Sequence, residues 1–214
     1  GVGARGPRLV AETLARRRVR ATPVHLVSVA GVNLCPGDEP VPASGPLRPA
    51  PGPRDAGAGV RITVLDTGLV PGYLSHPWLA ASSGDPAIPA VEGDVTDIVD
   101  NGVIGPYTGH GTFIAGVVRC TAPAADVRVL RTFPYAGAVP EDELGLAIRD
   151  ALATHGWPDI LSLSAGTRTQ NAAALLGLAD FMAELALHPE TVLVAAAGND
   201  GGTEPFWAAA YGAA

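Results

Sequence analysis

The chain contains no lysine, and all fourteen of its basic residues are arginine. A GC-rich genome would be the mundane cause, and no function follows from it. The net charge of −7 at pH 7 argues against nucleic acid as the main partner, because phosphate binding needs clustered cations. The one basic cluster, Arg16-Arg17-Arg18 with Arg20, reads as a solvated helix face. Long apolar runs are missing too. None approaches the roughly 20 residues of a membrane span, so no membrane partner is expected. Aromatic residues make up only 5%, which leaves Val, Leu, Ile and Ala to build the core. There are two cysteines, Cys35 and Cys120, far apart in sequence. A disulfide and two unrelated thiols suit them equally, and the redox compartment stays open. The chain begins at Gly1 without a charged-then-apolar leader, so it is expected to be a processed or excised piece.

With 214 residues, 47% of them apolar, the chain can bury a real core. Residues 8–18 read as a helix and 24–29 as a strand, together an N-terminal extension over 1–34. From 35 to 58, prolines at 36, 40, 42, 46, 49, 51 and 53 exclude helix and central strand and mark a linker. A regular pattern occupies 59–214. Apolar runs at 60–65, 126–130, 159–163 and 191–196 are short and continuous, as strands buried on both faces should be. Pro140 with Glu141, Asp142 and Glu143 makes a helix start, followed by Leu144, Ile148, Ala151 and Leu152 on one face. Asn171 is placed to cap a second helix carrying Leu175, Leu178, Met182 and Leu185. Such alternation predicts an α/β fold, a mostly parallel sheet with helices on both faces. Residues 68–105, rich in Gly, Pro and Asp, read as a long surface excursion.

Asp66-Thr67-Gly68, Ser164-Ala165-Gly166 and Ala197-Gly198-Asn199 each follow one of these strands. All three therefore emerge at the carboxyl edge of the sheet, where open α/β sheets bind ligands. Gly109-His110-Gly111-Thr112 opens a helix that must start at the same edge. Alone, each motif is an ordinary turn or helix start; their convergence on one edge is what needs explaining. His110 is a natural general base, and a buried Asp66 would fix its tautomer and stabilise the imidazolium. Asn199 offers an amide donor of the kind an oxyanion hole needs. Ser164 to Gly166 would supply an edge for backbone pairing with an extended peptide.

Val64-Leu65-Asp66-Thr67-Gly68 and Gly109-His110-Gly111-Thr112-Phe113-Ile114-Ala115-Gly116 resemble the Asp and His motifs of the subtilisin-like serine peptidases, the subtilases. Leu161-Ser162-Leu163-Ser164-Ala165-Gly166 is similar to that family's substrate-binding strand. Val194-Ala195-Ala196-Ala197-Gly198-Asn199-Asp200 is similar to its pocket-lining and oxyanion segment. The resemblance covers roughly 59 to 211. It implies serine endopeptidase activity with Asp66 as the orienting acid, His110 as general base and acid, and Asn199 as oxyanion donor. Leu163, Ser164, Ala165, Gly166, Ala196, Ala197 and Gly198 would line the substrate, and the small Ala and Gly residues among them suggest an open pocket for a large apolar residue. No cofactor is required for such catalysis. Many subtilases bind structural calcium in the excursion, but Asp85, Glu92, Asp94, Asp97 and Asp100 lack a fixed ligand spacing, which favours solvated loop acids. Secretion or a cell-envelope site would fit the family.

One part of the pattern is missing. The family nucleophile sits in a Gly-Thr-Ser motif downstream of the asparagine, and the chain contains none. None of its serines has that context, Ser164 included. The expected partner is therefore a C-terminal segment or second chain that supplies the serine, with a peptide or protein as substrate. The alternative is a degenerate relative that only binds peptides. The N-terminal extension fits either the tail of an inhibitory prodomain or a segment wrapped on the catalytic domain.

Overall fold

A computed structural model describes residues 6–18, 20–29, 53–81, 87–96, 107–134, 137–199 and 201–213. In chain order its elements are α1 (Gly6–Arg16), β1 (Leu26–Ser28), β2 (Arg61–Asp66), β3 (Glu92–Gly93), α2 (His110–Thr121), β4 (Asp126–Arg131), β5 (Ala138–Pro140), α3 (Glu141–His155), β6 (Ile160–Leu163), α4 (Ala179–Leu185) and β7 (Val192–Ala195). The four strands expected from the apolar runs all form, within a residue or two of the expected ends. With β3 they make a five-stranded sheet in the order β3-β4-β2-β6-β7, parallel throughout. From β2 the chain steps to β4 on one side, then crosses to β6 on the other. The sheet therefore has its switch point at β2, where a crevice opens beyond the carboxyl ends.

Continuous apolar strands bury both faces, and the two cores divide by residue parity. Ile62 and Val64 of β2, with Val127 and Val129 of β4, join Ala115 of α2 in one core. Leu65, Leu130, Leu161 and Leu163 face the other, with Leu144, Ile148 and Leu152 of α3. Successive side chains on a strand point to opposite faces, so a six-residue strand serves two helix layers. Asp66 has the parity of Ile62 and Val64 and emerges on the α2 face.

α3 follows its sequence signals closely. Pro140 is its N-cap, three acids fill its first turn, and Gly156 ends it at a φ of 78°. The helix expected from Asn171 does not form as read. Residues Gln170–Ala172 and Leu176–Leu178 are separate 3-10 turns, Asn171 sits at φ 57°, and α4 starts only at Ala179. The cause lies in α3. Gly177 docks on its first turn and donates its N–H to Glu141 Oε2 at 2.8 Å. A Cβ on Gly177 would meet Asp142 N at 2.5 Å, so the approach is backbone on backbone. Leu175 and Leu178 are fully buried, so the apolar spacing that suggested a helix serves the burial of an irregular segment.

The excursion after Gly68 is less irregular than its composition suggests. It holds a 3-10 turn, Tyr73–Ser75, the short strand β3 and a bridge between Leu69 and Val95. Buried Arg119 of α2 anchors it, donating to the carbonyls of Trp78 at 3.2 Å and Pro89 at 2.7 Å. The same guanidinium reaches the carbonyls of Pro123 and Ala125, and burial lowers its pKa. Glu92 pairs with Arg128, and Asp94 accepts the backbone N–H of Arg131. Asp85, Asp97 and Asp100 lie outside the described residues. Among the described residues, no cluster of three His, Cys, Asp or Glu could hold a metal ion, and no helix is long and apolar enough to cross a membrane. Cys120 donates to the Gly116 carbonyl at 3.1 Å, and burial raises its pKa. Cys35 is outside the described residues.

Candidate active site

Asp66 is the last residue of β2 and has no exposed surface. A buried carboxylate needs hydrogen-bond donors, and it has them. His110 Nδ1 lies 2.9 Å from both Oδ1 and Oδ2, and the Thr67 N–H donates to Oδ1 at 2.8 Å. Its backbone carbonyl accepts from the N–H groups of Thr132 and Phe133, so the whole residue is fixed by the core. His110 opens α2, and its side chain is 24% exposed, enough to present the other ring nitrogen outward. With Nδ1–H donated to a carboxylate, Nε2 is left as the basic atom.

Two residues join the Asp and His motifs in a way the sequence did not announce. Thr67 Oγ1 donates to the Thr108 carbonyl and accepts the Gly111 N–H, both at 3.0 Å. Thr112 Oγ1 accepts the Val70 N–H at 2.9 Å. Their threonines were visible inside both motifs, but only the fold shows the hydroxyls facing each other's loops. Gly68 turns the chain at φ 82°, and Gly111 lies against it: a Cβ there would meet Gly68 O at 2.6 Å. Helix and strand end can approach this closely only without a side chain at 111.

The remaining expected residues leave the same edge. Leu163 is fully buried in β6 and registers with Ala195 of β7. Ser164, Ala165 and Gly166 continue from β6, and Ala196, Ala197, Gly198 and Asn199 continue from β7. Asn199 is exposed, and its side chain makes no hydrogen bond among the described residues. It therefore sits at the right edge, two strands from Asp66, without touching the pair.

The pocket expected to be open between these two segments is not. The ring of Phe206 lies against both walls: Cβ atoms built on Gly166 and Gly198 would fall 2.1 Å and 3.1 Å from it. The backbone brings it there through Trp207, which exchanges hydrogen bonds with Thr167 at 2.7 and 2.9 Å. Small residues at 166 and 198 thus make room for a ring of the chain's own. Composition of the walls alone could not show this, because the filler comes from a later loop.

The edge expected to pair with a peptide is also taken. β1 pairs antiparallel with β5, Val27 opposite Val139. On its other side Ser28 exchanges two hydrogen bonds with Gly166, at 3.0 and 3.2 Å. Val27 and Val29 are buried, and the Val29 N–H reaches the Gly137 carbonyl at 2.9 Å. The N-terminal strand therefore runs as the middle strand between β5 and the segment after β6.

A parallel α/β sheet thus sets a buried carboxylate against a partly exposed imidazole at its switch point, a pairing suited to acid–base chemistry. The family comparison gives it a place. The model of the subtilase family matches residues 57–212, well over half the chain. The chain belongs to the subtilases, a family of serine peptidases. No curated protein matches it.

Proposed function

We propose that the chain forms the acid–base half of a serine endopeptidase site acting on extended peptides. The observation that carries this reading is the Asp66–His110 pair, bidentate at 2.9 Å, in a chain of the subtilase family. His110 Nε2 takes the proton of an attacking serine hydroxyl and later returns it to the leaving amine. Asp66 holds the tautomer and stabilises the imidazolium, and the Thr67 N–H keeps the carboxylate in place. Asn199 donates its amide to the oxyanion once substrate is present; loss of such a donor costs about 10²–10³ in turnover, a magnitude that comes from a member of this family. Leu163 to Gly166 and Ala196 to Gly198 flank the bound peptide. The serine comes from polypeptide beyond these 214 residues, as a further segment or a second chain.

The test is turnover of a peptide substrate by the protein together with its nucleophile segment. His110→Ala should lose about 10⁶ in kcat, as loss of a triad base does. Full activity in that variant would remove His110 from the mechanism. A second reading is a peptide-binding relative without catalysis; the 214 residues carry no Gly-Thr-Ser of their own. It requires that the complete protein bind peptides and never turn them over.

A further inference from the structure

The arginine cluster that the sequence suggests as a helix face lies mostly beyond a helix. α1 ends at Arg16, so Arg17, Arg18 and Arg20 follow it. All four arginines are exposed, and none of them makes an ion pair among the described residues. Arg61, Arg128, Arg149 and Arg168, by contrast, each pair with a carboxylate. Arg16 and Arg17 suit the negative end of the α1 dipole, which accounts for them without a ligand. Arg18 and Arg20 lie past its reach.

These two residues line a cleft of about 320 Å³ with Thr22 and, from a remote segment, Ala173, Ala174 and Leu176. That volume is at the lower end of small-ligand sites, roughly 300–1,000 Å³. Both walls hold unusual backbone. Arg18 is at φ 61°, a place after a helix where glycine or asparagine is usual. On the other wall Asn171 and Ala172 sit at φ 57° and 52°. These are three of the four non-glycine residues with positive φ among the described residues. Such backbone persists only where its surroundings hold it. Here Thr169 Oγ1 and the Tyr211 hydroxyl donate to the carbonyls of Ala173 and Leu175, both at 2.5 Å, and Leu175 is fully buried. The charge of Arg20 reaches this wall: it opposes the rise of the Tyr211 hydroxyl that burial and then Glu141 produce.

We propose that this cleft is a docking site for an acidic peptide segment, which seats one apolar side chain against Ala173, Ala174 and Leu176 and lays carboxylates on Arg18 and Arg20. Guanidinium forks meet carboxylates with paired hydrogen bonds, which a lysine ammonium cannot offer. Four cations along 16–20 call for several acids, whereas a lone terminal carboxylate would leave Arg16 and Arg17 unused. A nucleic acid is disfavoured by the net charge of −7 and by a wall of alanine and leucine with no ring to stack a base. A membrane would reach the exposed arginines but not an apolar wall recessed between two segments. The site shares no residue with the Asp66–His110 pair and stands apart from the peptidase reading.

The test is fluorescence anisotropy of the intact protein with labelled Asp-Glu-Leu-Glu-Asp at about 0.15 M salt. The comparison peptides are Asn-Gln-Leu-Gln-Asn and Asp-Glu-Ser-Glu-Asp. Exposed ion pairs are individually weak, so Arg18→Gln and Arg20→Gln are combined, and the double variant should bind about tenfold more weakly. Arg54→Gln, which removes an exposed charge in the turn before β2, should change affinity by less than about twofold. The uncharged peptide should bind about tenfold more weakly and the serine peptide about fivefold. No binding of the acidic peptide at about 1 mM, or a double variant no weaker than Arg54→Gln, would overturn the proposal. Equal affinity for the leucine and serine peptides would leave only a charged patch, and overturns it too. Cosedimentation with phosphatidylserine vesicles that the acidic peptide fails to displace would assign the arginines to a membrane surface instead, with the same consequence.

Discussion

Replacing Gly111 by alanine puts a methyl group into the joint between β2 and α2. The added carbon would lie 2.6 Å from Gly68 O, 3.1 Å from Gly68 N and 3.2 Å from Asp66 Cβ. Two of these atoms are backbone, so relief requires the helix start to shift. Alanine in a helix gains about 1 kcal/mol over glycine, whereas overpacking a tight site costs about 1–3 kcal/mol. With a contact this short the upper end applies, and the net loss is about 1–2 kcal/mol. Gly116 is the internal control: it lies on the same helix, and a Cβ there meets nothing within 4 Å. Gly116→Ala should therefore gain up to about 1 kcal/mol. Urea unfolding followed by circular dichroism should separate the two variants by about 1 M in midpoint. Gly111→Ala should also move His110 against Asp66, and a displacement near 1 Å costs about 10² in rate. Midpoints for the two variants that coincide would refute the close-approach argument.

Other outcomes follow from the same geometry. Arg119→Met leaves the carbonyls of Trp78, Pro89, Pro123 and Ala125 without their donor and should cost about 3 kcal/mol or more by urea unfolding. Protease cleavage within 78–91 should rise in parallel. Tyr211 is held protonated to about 12 by burial, so its contribution to stability is complete below the unfolded value near 10 and is lost as pH rises through about 12. The unfolding midpoint of the unaltered protein should thus fall more steeply over that window than that of Tyr211→Phe. Phe206→Ala empties the space between Gly166 and Gly198 and should shift ligand preference from small toward large apolar side chains, read from a peptide binding series. Asp66→Asn in the nucleophile-bearing protein should keep substrate affinity and lose about 10⁴ in kcat.

Much of this fold could be read from the residues, for a physical reason. Strands buried on both faces leave unbroken apolar runs, so β2, β4, β6 and β7 were legible almost to the residue. Asp66 and His110 were legible because a strand end and a helix start fix where their side chains emerge. What the sequence hid are contacts made by remote segments. The stretch 170–178 has helical spacing, yet Gly177 is drawn onto Glu141 and the helix is broken. Phe206 fills a pocket whose own walls look empty. β1 was expected as a strand, but its place between β5 and Gly166 depends on hydrogen bonds that no local pattern encodes.

The most direct test of the central claim is labelling of the complete protein with a fluorophosphonate probe, with mass spectrometry to locate the modified residue. The expected result is one labelled serine outside residues 1–214, with labelling abolished by His110→Ala. Label on a serine within the 214 residues, or labelling that survives loss of His110, would contradict the assignment of Asp66 and His110 as the acid–base half of the site.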